Sequence, residues 1–504
     1  MTILTADSPI VRDLADEAAT VRLAEDLAAI LAPGDVVTLS GDLGAGKSTF
    51  CRALLRALAD DPDLEVPSPT FTLVQHYDLP RLPVAHVDLY RIEDPEELDE
   101  LGLDEGLETG AALIEWPERA QGRIPAGALS ITLAQAGGPD QRTATIRWQG
   151  GDWGVRLARS FAIRALLGRS GWPAAQRRHL KGDASARSYE RIRQDGRTAV
   201  MMNAPALYAE PQLGAELSYS QIVHLAQDVR PFVAVGSELR RRGFGAPDIL
   251  AADMDLGLLL LEDLGAKGIV AEGEPVPERY EEATRLLARM HGQSWPESVS
   301  LPDGTSYRMP AYSRRALLAE ADLFLDWYVP EMTGSPAPAT LRDEFHGLWQ
   351  AAFERIADAR TGWVLRDYHS PNLLWRAERR GIDRIGLIDF QDAVVGPVAY
   401  DVASLLLDAR VPVSPALEAH LFHLYCAERQ AQDADFDRDA FATTYAVMGA
   451  QRVTKILGIF VRLARRDGKP DYMKHLPRMN GYLDRVLAHP VLSALKLWYD
   501  SNRP

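Results

Sequence analysis

Two stretches of this 504-residue chain hold side chains of the types and spacing that phosphoryl transfer needs. The first is SGDLGAGKST, in which Gly41 to Ser48 follow the pattern G-x-x-x-x-G-K-S. Glycines in such a loop let backbone N–H groups face phosphate oxygens, and the helix that opens behind it adds a partial positive charge. Gly41, Asp42, Leu43, Gly44, Ala45, Gly46, Lys47, Ser48 and Thr49 are therefore expected to cradle ATP. Lys47 reaches the outer phosphates and the Ser48 hydroxyl ligates Mg2+. The second stretch is LRDYHSPNLLW, where Asp367 precedes Asn372 by five residues. At that spacing an aspartate takes a proton from an acceptor hydroxyl and an asparagine holds magnesium. Farther on, LIDFQD places Asp389 at the end of an apolar run, where a second magnesium-binding acid belongs.

Other candidates complete the two sets. Phosphoryl transfer at the first loop needs a carboxylate near the metal. Asp88 in HVDLYR and Glu115 in LIEWPE each end an apolar strand, where parallel strands deliver side chains to the nucleotide edge of a sheet. The alternative for each is a surface acid past a strand end. SPTFT, residues 68 to 72, is either a plain proline turn or a switch segment whose Thr70 senses a γ-phosphate. LKGDASARSYERI offers Gly182, Ala184, Ser185, Ala186 and Ser188 as a phosphate-covering loop, without the form G-x-G-x-x-G. LLLLEDLG reads as a hinge whose backbone from Glu262 to Leu264 binds adenine. Plainer roles suit the rest. His291 packs in a helix, His369 braces the loop around Asp367, and Asp401 is a buried structural acid. Phe324, Trp327 and Tyr328 form a core stripe, with sugar stacking as the less favoured reading.

These residues need elements to hold them. Leu23, Leu27, Ile30 and Leu31 repeat at helical spacing, as do Phe50, Leu54, Leu55 and Leu58. DVVTLS, VAHVDLY, AALIEW, ALSITLA and ATIRW read as strands. Strand–turn–helix repetition predicts an α/β domain with a mostly parallel, helix-covered sheet, ending near WQGGDWG. Behind it, strand-like SYERIRQDG, TAVMMNAP and LGLLLLEDLG give way from about Glu278 to helical patterns. Strands in front, an apolar connector and helices behind form the order of an α+β two-lobed kinase. Composition sets the outer limits. Hydrophobic residues make up 46% and charged residues 25%, as in folded globular chains. No apolar run reaches eighteen residues, so no membrane span is expected. The N-terminus lacks a basic start and an apolar block, which argues for the cytoplasm. Two cysteines exclude a disulfide framework, and a net charge of −16 disfavours a broad basic field for DNA or other nucleic acid.

GDLGAGKST, PSPTFTLVQHY, HVDLYRI and LIEWPER, in that order, resemble the bacterial TsaE family, the ATPase subunit in making threonylcarbamoyladenosine in tRNA. The resemblance covers about residues 10 to 150. It implies that Lys47 and the loop glycines hold ATP, that Ser48 and Glu115 hold magnesium, that Asp88 acts in hydrolysis and that Thr70 lies in the switch. It also implies TsaB and TsaD proteins as partners, with tRNA bound to the assembly. RDYHSPNLLW and IDFQDAVVGPVAYDVASLL resemble the aminoglycoside phosphotransferase superfamily. GDASARSYERI, AVMMNAP and DLFLDWY are similar to its AmgK branch, which phosphorylates the anomeric hydroxyl of N-acetylmuramate and N-acetylglucosamine in cell-wall recycling. One departure stands out. The strand lysine of the superfamily is replaced by Met201 and Met202, so the phosphate clamp is either Lys181 or Arg187 or is absent.

The expected organisation is a P-loop NTPase domain over 1–152 and a kinase-like domain over 157–504. Each half has its own nucleotide pocket and metal acids, so the halves are expected to work independently. The rival readings are a nucleotide-dependent assembly switch in front, and behind it a kinase for another small-molecule hydroxyl or a non-catalytic pseudokinase.

Overall fold

The computed structural model describes residues 9–94, 96–98, 106–180, 187–207 and 217–504. Two compact units emerge, residues 1–204 with 250–261, and residues 205–249 with 262–504.

The first unit is built on a seven-stranded sheet. Its strands are β1 (Ile10–Leu14), β2 (Val36–Ser40), β3 (Val74–Tyr77), β4 (Val84–Asp88), β5 (Ala111–Glu115), β6 (Leu129–Gln135) and β7 (Arg142–Trp148), in the order β1-β7-β6-β2-β5-β4-β3. Every residue of β4 and β5 is buried, as expected of central strands covered on both faces. Parallel pairing is confined to β4–β5, β5–β2 and β2–β6. β6–β7, β1–β7 and β3–β4 are antiparallel. The expected mostly parallel sheet is therefore mixed. The link from β6 to β7 is too short for a crossover and permits only a hairpin. β1 and β3 lie at the edges, where exposed residues erase the apolar signal.

Helix α1 (Glu17–Ala28) starts at Asp16, whose carboxylate accepts the Ala19 N–H at 2.7 Å. Helix α2 (Lys47–Ala59) buries Phe50, Cys51, Leu54, Leu55 and Leu58. After Gly150 and Gly151, both at positive φ, comes α3 (Trp153–Arg169). Its first turns place Trp153 and Leu157 in the core of the seven-stranded domain. Its later turns place Ile163, Leu166 and Leu167 in a second core with Met201, Leu258 and Leu260. That second core backs a five-stranded sheet of β8 (Gln176–Leu180), β9 (Ser188–Gln194), β10 (Arg197–Asn203), β11 (Ile249–Asp253) and β12 (Leu258–Glu262), ordered β11-β12-β10-β9-β8.

One helix thus closes two cores, and buried charges join them. Arg177 contacts Asp26 and Glu190, each at 2.7 Å. Arg164 reaches Asp26 at 2.7 Å and Arg178 reaches Glu25 at 2.7 Å.

The second unit is mainly helical: α4 (Arg230–Arg241), α5 (Pro277–His291), α6 (Arg314–Leu323), α7 (Ala339–Glu354), α8 (Ala399–Leu406), α9 (Pro415–Gln432), α10 (Arg438–Arg465), α11 (Leu476–Leu487) and α12 (Ser493–Asn502). Past α6 a π-helical turn spans Phe324–Tyr328, with Phe324 and Tyr328 buried and Trp327 half-buried. Gly458 of α10 lies against α6, where a Cβ would fall 2.1 Å from the Leu323 carbonyl oxygen. Two short antiparallel strand pairs frame the expected catalytic segments. β13 (Thr361–Val364) pairs with β16 (Val394–Pro397), and β14 (Leu373–Trp375) with β15 (Ile385–Leu387). Among the described residues, no helix is long and apolar enough to cross a membrane.

Candidate active sites

The loop between β2 and α2 places Gly41, Gly44 and Gly46 at positive φ. Gly41 is required: a Cβ there would come 2.3 Å from the Leu133 carbonyl oxygen. Lys47 is 5% exposed. Its Nζ donates to the carbonyls of Gly41 at 2.7 Å and Asp42 at 3.0 Å, and lies 3.6 Å from the centre of the Trp116 ring. Burial lowers its pKa, with Glu115 opposing. Registry of the parallel strands sets Asp88 beside Glu115 and Leu39 beside Glu115. Glu115 is held at both oxygens. Oε2 accepts from Ser48 Oγ at 3.1 Å, and Oε1 faces His86 Nε2 at 3.0 Å. Cys51 approaches the same cluster. Asp88 Oδ2 accepts from Thr70 Oγ1 at 2.7 Å and Ser68 Oγ at 3.2 Å, and Oδ1 accepts the Tyr90 N–H. The SPTFT segment is thereby tied to the strand-end acids, with Phe71 exposed beneath the Arg91 guanidinium. Lys47, Ser48, Asp88 and Glu115 stand together at one sheet edge. His86 and Trp116 belong to the same cluster. In the sequence they read as a buried strand residue and a neighbour of Glu115, with no mark of a role.

In the second unit, Asp367 sits in a tight loop between β13 and β14. Asp401, fully buried on α8, accepts the N–H groups of Leu365 at 2.7 Å and Arg366 at 2.9 Å. Arg366 adopts φ 67° and turns its side chain inward, onto Glu320 and the Val223 carbonyl. Asp367 follows with its side chain 41% exposed. Its carbonyl accepts from His369 N–H and from Asn372 Nδ2, both at 3.0 Å. Asp408 closes the far side, accepting the Ser370 N–H at 2.7 Å and the Tyr280 hydroxyl at 3.2 Å. Asp389 follows β15 at φ 59°, a strained value for a non-glycine residue, and accepts from Gln391 Nε2 at 2.9 Å. The Ile388 N–H donates to the Asn372 carbonyl at 3.1 Å, so the segments carrying Asn372 and Asp389 lie side by side. Beneath the loop, Glu320 receives Lys455 at 2.8 Å as well as Arg366 and Tyr312. Burial pushes the Glu320 carboxyl up, but Lys455 and Arg366 outweigh it and bring it down to about 2. No spacing in the sequence links Glu320 to Lys455, or Asp408 to Ser370.

His291 is buried against the Tyr425 hydroxyl at 2.9 Å. Glu262 donates its N–H to the Asp248 carbonyl at 2.8 Å and pairs its carboxylate with Arg376 at 3.0 Å, and Leu264 follows in the connector. Met201 and Met202 are both buried on β10. Lys181 and the loop residues Gly182, Ala184, Ser185 and Ala186 lie outside the described residues; Arg187 and Ser188 are described, at the start of β9.

The first site is that of a P-loop nucleotide hydrolase and the second that of a protein-kinase-like phosphotransferase. A family model described as "Threonylcarbamoyl adenosine biosynthesis protein TsaE" matches residues 14–144, and one described as "Phosphotransferase enzyme family" matches residues 176–441. The N-acetylmuramate/N-acetylglucosamine kinase of Caulobacter vibrioides is 36% identical over 359 residues, covering 69% of this chain and 97% of that protein. The enzyme so named in Pseudomonas putida is 31% identical over 334 residues, covering 64% and 87%. The tRNA threonylcarbamoyladenosine biosynthesis protein TsaE of Rickettsia bellii is 40% identical over 120 residues, covering 24% and 83%. The chain belongs to the phosphotransferase enzyme family, with a TsaE-family domain fused ahead of it.

Proposed function

We propose that this chain is a bifunctional enzyme. Its front domain hydrolyses ATP in the threonylcarbamoyladenosine modification of tRNA. Its rear domain transfers phosphate from ATP to the anomeric hydroxyl of N-acetylmuramate or N-acetylglucosamine. The observation that carries this reading is the coexistence of two sets of acids, Asp88 and Glu115 beside the glycine loop in front and Asp367, Asn372 and Asp389 on adjoining segments behind, each in a stretch that its own family model matches.

In the front domain, Gly41 to Thr49 wrap the phosphates and Lys47 neutralises their charge. The oxygen donors of Ser48 and Glu115 suit magnesium, which supplies positive charge to the phosphate oxygens when bound. Asp88, already hydrogen-bonded to Thr70, orients water while the SPTFT segment responds to the γ-phosphate. TsaB- and TsaD-like proteins are the proposed partners, with tRNA reached through them.

In the rear domain, the backbone from Glu262 to Leu264 takes adenine. Asn372 commits Nδ2 to the Asp367 carbonyl, which leaves Oδ1 as a metal donor beside Asp389. Asp367, outward-facing, aligns the acceptor hydroxyl and takes its proton as the phosphoryl group moves. The domains are proposed to divide between 152 and 157, with α3 as their shared element.

The test measures ADP release by the full-length Lys47→Ala protein with and without each sugar. Release that depends on either sugar supports the kinase assignment, and release indifferent to both removes it. Failure of the wild-type gene to restore threonylcarbamoyladenosine in cells lacking TsaE removes the other half.

A further inference from the structure

Arg452 lies on α10 with 4% of its surface exposed. Among the described residues its guanidinium makes one hydrogen bond, from Nη1 to the Leu407 carbonyl at 3.4 Å. Among the described residues, no carboxylate oxygen comes within 4.0 Å of it. Two other buried cations of this unit are matched. Lys455, three residues along the same helix, meets Glu320 at 2.8 Å, and Arg366 meets the same carboxylate. The Nε and Nη2 of Arg452 are not among the enclosed polar atoms left without a partner, so solvent or an incoming anion can reach them.

The place of Arg452 says which ligand. Leu407, which holds it, precedes Asp408. Asp408 Oδ2 accepts the Ser370 N–H at 2.7 Å within the loop of Asp367, and Oδ1 accepts the Arg410 N–H at 2.8 Å. Arg452 is therefore one residue removed from the anchor of the catalytic loop. Its charge reaches the His369 imidazole, whose Nε2 is 3.9 Å from Asp367 Oδ1. An anion that meets Arg452 would therefore lie near the loop that carries Asp367. N-acetylmuramate carries a lactyl carboxylate, and N-acetylglucosamine does not.

We propose that Arg452 is the acceptor-selecting residue of the kinase site, binding the carboxylate of a sugar-acid acceptor and favouring it over the neutral amino sugar. Arginine suits the task because its planar fork can grip both carboxylate oxygens. The inference rests on the kinase reading above.

The experiment compares kcat and KM for both sugars in full-length wild type, Arg452→Met and Arg452→Lys, with melting temperatures in parallel. For Arg452→Met, kcat/KM for N-acetylmuramate is expected to fall on the order of a hundredfold, mainly through KM. N-acetylglucosamine should change less than about threefold, the KM for ATP should hold, and Arg452→Lys should recover part of the loss. Equal losses on both sugars, an unchanged N-acetylmuramate value, or a raised KM for ATP overturns the proposal. If Arg452→Met does not fold, Arg452→Lys decides alone: a loss of about tenfold confined to the acid supports it, and any other pattern overturns it. If wild type phosphorylates neither sugar, the kinase reading falls. Equilibrium binding of the two sugars to wild type and Arg452→Lys then decides the subsite. Acid-selective binding weakened in the variant supports it, and equal or absent binding overturns it.

Discussion

Lys47, Asp367 and Glu320 show three different ways in which a buried or half-buried charge is used. Lys47 is held between loop carbonyls and the Trp116 ring, at the place proposed for the outer phosphates. Lys47→Ala should lower nucleotide affinity at the front site at least tenfold while leaving the melting temperature nearly unchanged, since the loop geometry is set by glycines. Titration of the variant with a fluorescent ATP analogue, with the rear site silenced by Asp389→Asn, checks this. Asp367→Asn keeps size and removes the proposed base. Sugar-dependent turnover should drop on the order of a hundredfold with little change in the KM for ATP. Parental turnover in that variant would take the base assignment away from Asp367. Glu320 acts through stability. Its folded pKa is about 2, below the usual 4.5. The stabilisation it gives is present above about pH 4.5 and lost as pH falls toward 2. Glu320→Gln leaves Lys455 and Arg366 buried without their anion, a cost of about 3 kcal/mol near neutral pH. The gap in stability from wild type should narrow as pH falls from about 5 to about 2, as followed by thermal melts across that range. The acids at strand ends were legible in the sequence because motif spacing carries them. Glu320, Asp408 and Arg452 were not, because their partners are brought from distant helices and no local pattern encodes such a meeting.

At the scale of elements, periodicity located α1, α2, the buried strands β2, β4 and β5, and the one-side-buried strands β6 and β7. It did not locate β1 or β3, whose exposed residues follow pairing with neighbours rather than an apolar pattern of their own. The glycines at 150 and 151 were legible as a turn, but the role of the helix behind them was not. The apolar residues of α3 look the same in sequence whether they fill one core or two. Only the fold sends Trp153 and Leu157 one way and Ile163, Leu166 and Leu167 the other. The ion pairs at this seam are nearly inaccessible to solvent. Asp26 is 4% and Arg177 1% exposed. Asp26→Ala would leave Arg177 with Glu190 and strip Arg164 of its carboxylate. A destabilisation of about 3 kcal/mol is expected, typical of breaking a buried pair from one side. Chemical denaturation measures it. A loss below about 0.5 kcal/mol would mean that the seam is solvated and does not bind the two cores together.

For the whole molecule, chemistry and folding divide at different places. Each phosphate site has its own acids, so the reactions should be separable by point substitution. Lys47→Ala should phosphorylate sugar at the parental rate, and Asp367→Asn should leave hydrolysis at the front site intact. Folding is not separable in the same way at residue 157. A fragment of residues 157–504 begins inside α3, lacks Trp153 and the first helical turn, and loses Asp26 and Glu25, the partners of Arg177 and Arg178. Arg178 then loses its carboxylate and Arg177 keeps only Glu190, while Leu157 loses the large-sheet core into which it packed. The fragment should melt at least about 10 °C below the transition of the same segment in the full chain. Its sugar kinase activity should fade on incubation at 37 °C, while the full-length Lys47→Ala protein keeps its activity. Residues 1–152 supplied as a separate chain should raise the fragment's melting temperature, because they return Asp26 and Glu25. The comparison uses one preparation of each protein, with melts and sugar-dependent ADP release measured on the same samples. A fragment as stable and as active as the full-length Lys47→Ala chain would show that α3 and its ion pairs contribute nothing to the kinase fold. Loss of kinase activity in intact, folded Lys47→Ala would instead show that the two phosphate sites are chemically coupled.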